Sequence, residues 1–244
     1  MRVPTATVRG PFRASRLWLG VFGRAADPIV VDVWSDVVCP FCYLGNAVFK
    51  EAVEQFPHGS SVQVRYHSFQ LNPGFPAGGA VLADDYLTQQ YGMPKAQIEG
   101  SHAQLAARGA EAGLDYRFEQ SYMVNTLDAH RMIHLAKAHG QELDMVDRLF
   151  RAEFTDGRNL ADHAVLADLA AELGLDRDEA VQALTTKAYE KDIRADLAQA
   201  RELGITGVPF FVFDNKRALS GAQPVELFRK ALDATWQDRA TQPA

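Results

Sequence analysis

The chain has 244 residues, of which 47% are hydrophobic, and its formal net charge is −6 at pH 7. A chain of this size can bury a full hydrophobic core without disulfides or structural metal ions. Its length fits one large domain or a domain that carries a substantial insertion. The acidic balance argues against general nucleic-acid binding, and no uninterrupted apolar run approaches the roughly 20 residues of a membrane helix. We therefore expect partners that are proteins or small thiols, and neither a nucleic acid nor a membrane.

Residues 1–27 form an arginine-rich start that has no acidic residue before Asp27 and a short apolar run at 17–22. An export signal is one interpretation, but the run is short for such a signal, Gly20 interrupts it and no small-x-small cleavage site follows. We expect a flexible N-terminal extension and a cytoplasmic protein, with export as the alternative. The absence of cysteines outside one pair agrees with a cytoplasmic setting.

The next feature is a β-branched, apolar strand at 29–34, followed by Cys-Pro-Phe-Cys at 39–42, which holds the only two cysteines. Apolar residues then fall on one helical face until Pro57. Two thiols at the start of a helix can close a small disulfide, and the free N–H groups and positive dipole end of the helix stabilise the Cys39 thiolate. Because the thiolate is the nucleophile in thiol–disulfide exchange, the motif predicts a redox dithiol.

Two other interpretations of the cysteine pair have less support. Structural zinc needs four ligands, and the chain offers only scattered histidines such as His58 and His67 in place of a second ligand pair. A purely structural disulfide would close so short a loop that it would restrict the unfolded chain little. We expect no metal and no organic cofactor, since the Cys39–Cys42 pair is itself the reactive group.

The rest of the chain divides into a strand, a helical block and a second β segment. Alternation at 62–67 predicts a strand that ends near Leu71, which completes a βαβ unit. Residues 80–203 contain no convincing strand and several amphipathic stripes, which predicts an all-helical block. A strand at 208–213, a turn at 214–215, a short strand and a helix opened by Pro224 follow. The pattern indicates one sheet domain interrupted by a helical insertion, with the active site where the two meet.

Pro209 is the second residue that indicates a specific local structure. A trans-proline inside a central strand would lose a hydrogen bond of the sheet, and a cis peptide bond at a sheet edge avoids that loss. The strand–CxxC–helix, the helical block and Thr-Gly-Val-Pro at 206–209 resemble the DsbA-like thiol:disulfide oxidoreductases of the thioredoxin superfamily over residues 28–236. Val-Trp-Ser-Asp at 33–36, Phe-Gln-Leu-Asn-Pro at 69–73 and the segment 125–131 resemble the FrnE branch of that family.

The resemblance implies an α/β fold, namely a thioredoxin fold interrupted by a large all-helical insertion. Residues 28–78 and 204–238 would form the thioredoxin-like domain, and residues 79–203 the insertion. It further implies that Cys39 is the exposed attacking sulfur, Cys42 the more buried resolving sulfur, and Pro209 a cis-proline against the disulfide. The backbone of Val208 would pair with an extended substrate segment. The implied substrates are protein dithiols and disulfides, with glutathione as a further candidate, and the direction of exchange stays open.

Four further residues are candidates with a structural alternative. Phe41 stands where DsbA carries a histidine and cannot donate to the Cys39 thiolate, so we expect a potential more reducing than the roughly −120 mV of DsbA. Trp34 either shields the disulfide or belongs to the core. Asn125 either approaches the cysteines or caps a helix. Asp32 could relay protons to Cys42, but its spacing is one residue longer than in thioredoxin-like proteins.

Two other functions stay open. Kappa-type glutathione transferases and 2-hydroxychromene-2-carboxylate isomerases resemble the same strand–helix–insertion plan, but they use a serine at the position of Cys39. A redox-sensitive, chaperone-like binding protein would instead hold unfolded segments in an apolar groove around Phe41, Trp34 and Val208, with the cysteines sensing oxidation.

Overall fold

The computed structural model describes residues 28–240, so the predictions of an N-terminal extension and an export signal lie outside the described residues. The strands are β1 (Ile29–Ser35), β2 (Val62–Ser68), β3 (Ala80–Leu82), β4 (Tyr122–Val124), β5 (Phe210–Phe213) and β6 (Arg217–Ser220). The helices are α1 (Pro40–Glu54), α2 (Ala83–Tyr91), α3 (Lys95–Glu111), α4 (Leu127–Ala138), α5 (Glu142–Phe154), α6 (His163–Glu172), α7 (Arg177–Thr185), α8 (Glu190–Glu202) and α9 (Val225–Ala240).

A mixed sheet with the strand order β2-β1-β5-β6 organises the fold. Strand β1 pairs in parallel with β2 and antiparallel with β5, and β6 returns antiparallel to β5. The predicted βαβ and ββα units are therefore both present. Asp214 and Asn215, with φ of 48° and 54°, make the predicted turn between β5 and β6. Strand β2 stops at Ser68, short of the predicted end near Leu71, because the Leu71 N–H turns to the Asp36 carboxylate.

The two faces of this sheet bury different partners. Val31 and Val33 face the main core, where Phe49 of α1 packs with Phe211 of β5 and Phe228 of α9 at ring-centroid distances of 5.2 and 5.4 Å. Trp34 faces the other side, where it packs with residues that include Ala200 and Ile205 around α8. Since successive strand residues point to opposite faces, this assignment fixes which β1 side chains can approach α1.

The insertion is helical, with one correction to the prediction. Strands β3 and β4 form a separate antiparallel pair in the register Ala80–Val124 to Leu82–Tyr122. The expectation of no strand between residues 80 and 203 is therefore wrong at these positions, because three-residue strands are too short to show an alternating pattern. Among residues 28–240, no helix is long and apolar enough to cross a membrane.

Asp162 caps α6, since its side chain accepts a hydrogen bond from the Ala164 N–H at 2.8 Å. We expect Asp162→Ala to lower the free energy of unfolding by about 1 kcal/mol, because the cap satisfies an otherwise unpaired helical donor. Urea denaturation measures the change. Asp168→Ala, which removes an exposed ion pair to Arg177, is the control and should cost under about 0.5 kcal/mol. Equal losses in the two variants would contradict the capping role.

Candidate active site

The two cysteines lie at the start of α1, directly after β1. Cys39 is the N-cap residue with extended backbone (φ −94°, ψ 109°), and Pro40 opens the first turn. The Cys42 N–H donates to the Cys39 carbonyl at 2.9 Å, and the two thiols are not bonded to each other. Cys39 is 4% exposed and Cys42 1% exposed. The expectation of an exposed Cys39 is thus wrong for this structure, although Cys42 is the more buried of the two.

Cys42 has an environment that favours its thiol form. Burial raises the pKa of Cys42 well above its ordinary value, and a hydrogen bond and negative charge from Cys39 raise it further. The backbone of Asp36 and the side chain of Ser35 act in the opposite direction because they hydrogen-bond to the Cys42 sulfur. The resolving position therefore needs a proton acceptor before Cys42 can attack a disulfide.

The loop before β5 lies against the cysteines. The peptide bond between Val208 and Pro209 is cis, as the sequence predicts, and the Cys39 thiol contacts the Val208 carbonyl at 3.6 Å. The Pro209 carbonyl accepts from the Gly221 N–H, which ties the loop to the end of β6. Within the described part of the chain, the Val208 N–H donates no hydrogen bond. Val208 therefore offers a free backbone donor beside the Cys39 sulfur.

Gly45 permits this close approach of α1 and the proline loop. A Cβ atom at Gly45 would lie 2.8 Å from Cγ of Pro209 and 3.5 Å from the backbone of Ala222. Contacts under 3.0 Å are essentially never seen for real Cβ atoms, and neither the proline ring nor the helix backbone can yield easily. Sequence analysis missed this position, since a helical glycine carries no sign of the residue it faces.

Gly45→Ala should therefore displace the proline loop from the cysteines. We expect an overpacking cost of about 1–3 kcal/mol in the free energy of unfolding and a lower rate of disulfide exchange. Gly100→Ala is the matched control, because Gly100 also lies inside a helix but has nothing within 4 Å of its added Cβ. That variant should gain about 0.5–1 kcal/mol from helix propensity. A Gly45→Ala protein as stable and active as the Gly100→Ala protein would contradict the packing argument.

Residues of the helical insertion also contact the start of α1. The Tyr116 hydroxyl donates to the Pro40 carbonyl at 2.6 Å, and its ring packs edge-on against Tyr43 at 5.4 Å. Tyr43 in turn stacks on Phe150 and Phe154 of α5. The cysteines thus lie where the sheet domain meets the insertion.

Comparisons with known proteins agree with this geometry. Residues 30–233 match the family model described as the DSBA-like thioredoxin domain. The chain belongs to the DsbA-like thioredoxin family. It is 30% identical over 207 residues to the uncharacterized protein YwbO of Bacillus subtilis (strain 168), a match that covers 83% of this chain and 94% of YwbO.

Two solved structures extend the comparison. The probable DsbA oxidoreductase SCO1869 from Streptomyces coelicolor is 39% identical, with a TM-score of 0.84 over 88% of this chain and 93% of that chain. A 2-hydroxychromene-2-carboxylate isomerase is 17% identical, with a TM-score of 0.65 over 88% of this chain and 100% of that one, a likeness of fold alone. The DsbA-like assignment and the fold class are therefore confirmed, while the FrnE branch remains a prediction from the motifs.

Two candidate residues of this DsbA-like protein lie on the face of the sheet away from α1. Trp34 is fully buried there in a cluster against which Val208 packs, so it occupies a core position, and its part in substrate binding stays a prediction. Asp32 shares that face and contacts His67 Nε2 at 2.8 Å. The predicted proton relay from Asp32 to Cys42 is therefore wrong. Strand alternation puts Ser35, and not a carboxylate, beside the Cys42 sulfur.

Asn125 and Phe41 have different surroundings. Asn125 accepts from the Leu127 N–H at 3.0 Å and donates to the Phe75 carbonyl at 2.7 Å, so it secures the start of α4. Among the described residues it has no hydrogen bond to either cysteine, and its part in substrate binding stays a prediction. Phe41 is 49% exposed and therefore presents an apolar surface between the cysteines.

Proposed function

We propose that this protein exchanges disulfides with protein or small-thiol substrates through Cys39 and Cys42. The observation that carries the proposal is the placement of two free thiols one helical turn apart at the start of α1, with the Cys39 sulfur 3.6 Å from the Val208 carbonyl. Two neighbouring thiols form a disulfide when a substrate disulfide accepts their two electrons, and a substrate dithiol reopens that disulfide by returning two electrons. Among residues 28–240, no group of three or more histidine, cysteine or acidic side chains is arranged to hold a metal ion.

The exchange proceeds through a mixed disulfide. In the direction that reduces the substrate, the Cys39 thiolate attacks one sulfur of a substrate disulfide, forms a Cys39–substrate bond and releases the other substrate sulfur as a thiolate. The Cys42 thiolate then attacks Cys39, closes the Cys39–Cys42 disulfide and releases the second substrate thiolate. The substrate gains two electrons and the cysteine pair loses two. The reverse sequence oxidises a substrate dithiol.

Substrate selection would use the groups around Cys39. The free Val208 N–H and the neighbouring carbonyl suit an extended peptide that pairs as an added strand. Exposed Phe41 adds an apolar contact at the sulfur. These features favour unfolded or extended segments of proteins, with small thiols such as glutathione as further partners. The scarcity of cysteines supports a cytoplasmic setting for this exchange.

The reduction potential of the Cys39–Cys42 pair decides the direction. Equilibration in glutathione or dithiothreitol buffers, followed by alkylation and mass detection, measures the reduced fraction. A potential well above about −200 mV indicates an oxidant or isomerase, and one near about −270 mV indicates a reductant. Because Phe41 cannot stabilise the Cys39 thiolate as a histidine would, we expect a potential below about −120 mV. A pair that could not be cycled at all would overturn the proposed function.

An isomerase-like function on the same fold is the second candidate, and the likeness to the 2-hydroxychromene-2-carboxylate isomerase motivates it. Those enzymes use a serine where this chain has Cys39, which argues against the assignment. Tight binding of glutathione with neither oxidation nor exchange at Cys39 would favour it over disulfide exchange.

A further inference from the structure

A polar groove in the helical insertion has no part in the proposed disulfide exchange. It has a volume of about 560 Å³, and neither cysteine lines it. Asp115 and Arg117 of the segment after α3 form one wall, Arg151 and Asp156 at the end of α5 form the other, and Tyr43 of α1 lies between them. We call it the insertion groove. A cavity of several hundred Å³ is typical of sites that bind small molecules.

Two hydrogen bonds join the walls of the insertion groove. The Arg117 N–H donates to the Phe154 carbonyl at 2.7 Å, and the Thr155 hydroxyl donates to the Asp115 carbonyl at 2.7 Å. Tyr43 is half-buried, and its ring stacks on Phe154 at a centroid distance of 5.8 Å. The groove is therefore formed before a ligand arrives, which lowers the entropy cost of binding.

Arg151 offers free hydrogen-bond donors on the α5 wall. The Asp156 carboxylate beside it is already bound by Arg148, whose Nη1 donates to Oδ2 at 2.8 Å. Arg151 Nε reaches the other oxygen of Asp156 only at 3.6 Å, which is too long for a hydrogen bond. Within residues 28–240, the Arg151 side chain donates no hydrogen bond, and it is 68% exposed. Its guanidinium can therefore bind a carboxylate through two parallel hydrogen bonds.

Asp115 offers a free acceptor on the opposite wall. Its Oδ2 accepts from Arg117 Nε at 3.0 Å and lies 3.0 Å from Nη2. In the part of the chain that the structure describes, Asp115 Oδ1 accepts no hydrogen bond. A free carboxylate oxygen suits an ammonium group, which has three donors and no acceptor. The two walls thus present one group for an anion and one group for a cation.

The balance of charges in the insertion groove restricts the class of ligand. Two arginines and two aspartates line it, so their formal charges cancel. A surface without net charge attracts neither a polyanion nor a divalent cation strongly. A molecule that carries one carboxylate and one ammonium matches both free groups and keeps the site neutral.

We propose that the insertion groove binds a small zwitterion, namely an α-amino acid or a short peptide, with its carboxylate on Arg151 and its ammonium on Asp115. Tyr43 supplies an aromatic surface between these two contacts. The inference does not depend on the proposed disulfide exchange, because the groove contains neither thiol. Since Tyr43 directly follows Cys42 in α1, the ligand lies against the helix that carries the cysteines.

NMR titration of nitrogen-15 labelled protein with alanine peptides tests the proposal. Alanine, dialanine and trialanine carry the two charges at increasing separation and have no thiol that could react with the cysteines. We expect at least one of them to bind with a Kd in the millimolar range or tighter. N-acetylation removes the ammonium and C-terminal amidation removes the carboxylate, and each should weaken binding of that peptide about tenfold or more. Absence of binding by all three would overturn the proposal.

Variants of the two walls connect each charge of the peptide to its partner. Arg151→Gln should weaken binding of the free peptide about tenfold or more and should bind the free and amidated peptides alike. Asp115→Asn should bind the free and acetylated peptides alike. Arg177→Gln and Asp168→Asn are the matched controls, because these two residues form an exposed ion pair outside the groove, with both side chains 48% exposed. Both control variants should bind the free peptide as the wild type does.

Two results would contradict the assignment. A peptide that bound Arg151→Gln and wild-type protein equally tightly would lie elsewhere, for example along Val208. If the free and acetylated peptides bound the wild type equally tightly, the site would recognise a carboxylate alone and the zwitterion would be excluded. Cys39→Ser protein should bind the free peptide as tightly as the wild type, because the groove includes no part of the thiol site. Urea denaturation of each variant excludes loss of fold as the cause of weaker binding.

Discussion

Cys39→Ser should abolish disulfide exchange, and Cys42→Ser should stop it halfway. A serine hydroxyl at position 39 cannot form the mixed disulfide, so we expect turnover of a disulfide substrate to fall by about 10³-fold or more. With Cys39 intact and no thiol at position 42 to resolve the intermediate, the substrate should remain bound covalently at Cys39. Mass spectrometry of acid-quenched reactions with oxidised glutathione distinguishes the two variants, because only Cys42→Ser accumulates the adduct.

This experiment also tests which of the two cysteines attacks the substrate and which one resolves the mixed disulfide. Both residues are buried, and their exposures of 4% and 1% differ little. Cys39 is assigned the attacking role because its sulfur faces the Val208 carbonyl, whereas Cys42 lies behind it with its pKa raised by burial. An adduct that accumulated on Cys42 in the Cys39→Ser protein would reverse the assignment. Both variants should unfold at nearly the same denaturant concentration, which excludes loss of fold as the cause.

The sequence was sufficient to predict the parts of the fold that have strong local patterns. The strand before the cysteines, the helix that ends before Pro57 and the turn at 214–215 each carry apolar periodicity or turn residues that specify them. Strands β3 and β4 were missed because three residues cannot show a period. The likeness to a family supplied the long-range part, namely that Pro209 returns to the cysteines across the insertion.

The site was less predictable, because it depends on which face of an element each side chain occupies. Trp34 and Asp32 alternate with Val31 and Val33, so the pattern put them together on one face. Because helices cover both faces of the sheet, the alternation of side chains along β1 does not indicate which face packs against α1.

His67→Ala should produce the largest loss of stability outside the core. His67 lies between two carboxylates, with Nε2 2.8 Å from Asp32 and Nδ1 2.9 Å from Asp196, and all three side chains are only 13% exposed. Removal of the central cation leaves the largely buried Asp32 carboxylate without this partner, and leaves Asp196 with only His134 and the Ser68 N–H. We expect the free energy of unfolding at pH 6, measured by urea denaturation, to fall by about 3–5 kcal/mol.

The pH dependence of this loss has a defined sign. Burial alone would lower the pKa of His67, but hydrogen bonds to Asp196 and Asp32 raise it to about 9. Because that value lies above the unfolded value of 6.5, the stabilisation is fully present below pH 6.5 and is lost as the pH rises towards 9. Hydrogen bonds from His134, His67 and the Ser68 N–H outweigh burial and lower the pKa of Asp196, so its contribution is present above pH 3.8 and is lost in acid.

The difference in unfolding free energy between wild type and His67→Ala should therefore be largest between about pH 4 and 6.5 and should shrink by about 3 kcal/mol by pH 9. His67 also stacks on Trp34 at 4.5 Å, and loss of that packing costs stability equally at every pH. His139→Ala is the control, because His139 pairs with Glu179 at an exposed site and should change stability by under about 0.5 kcal/mol at every pH. A loss in His67→Ala that stayed constant from pH 5 to pH 9 would mean that His67 stabilises the fold through packing, and that its charge between Asp32 and Asp196 contributes nothing.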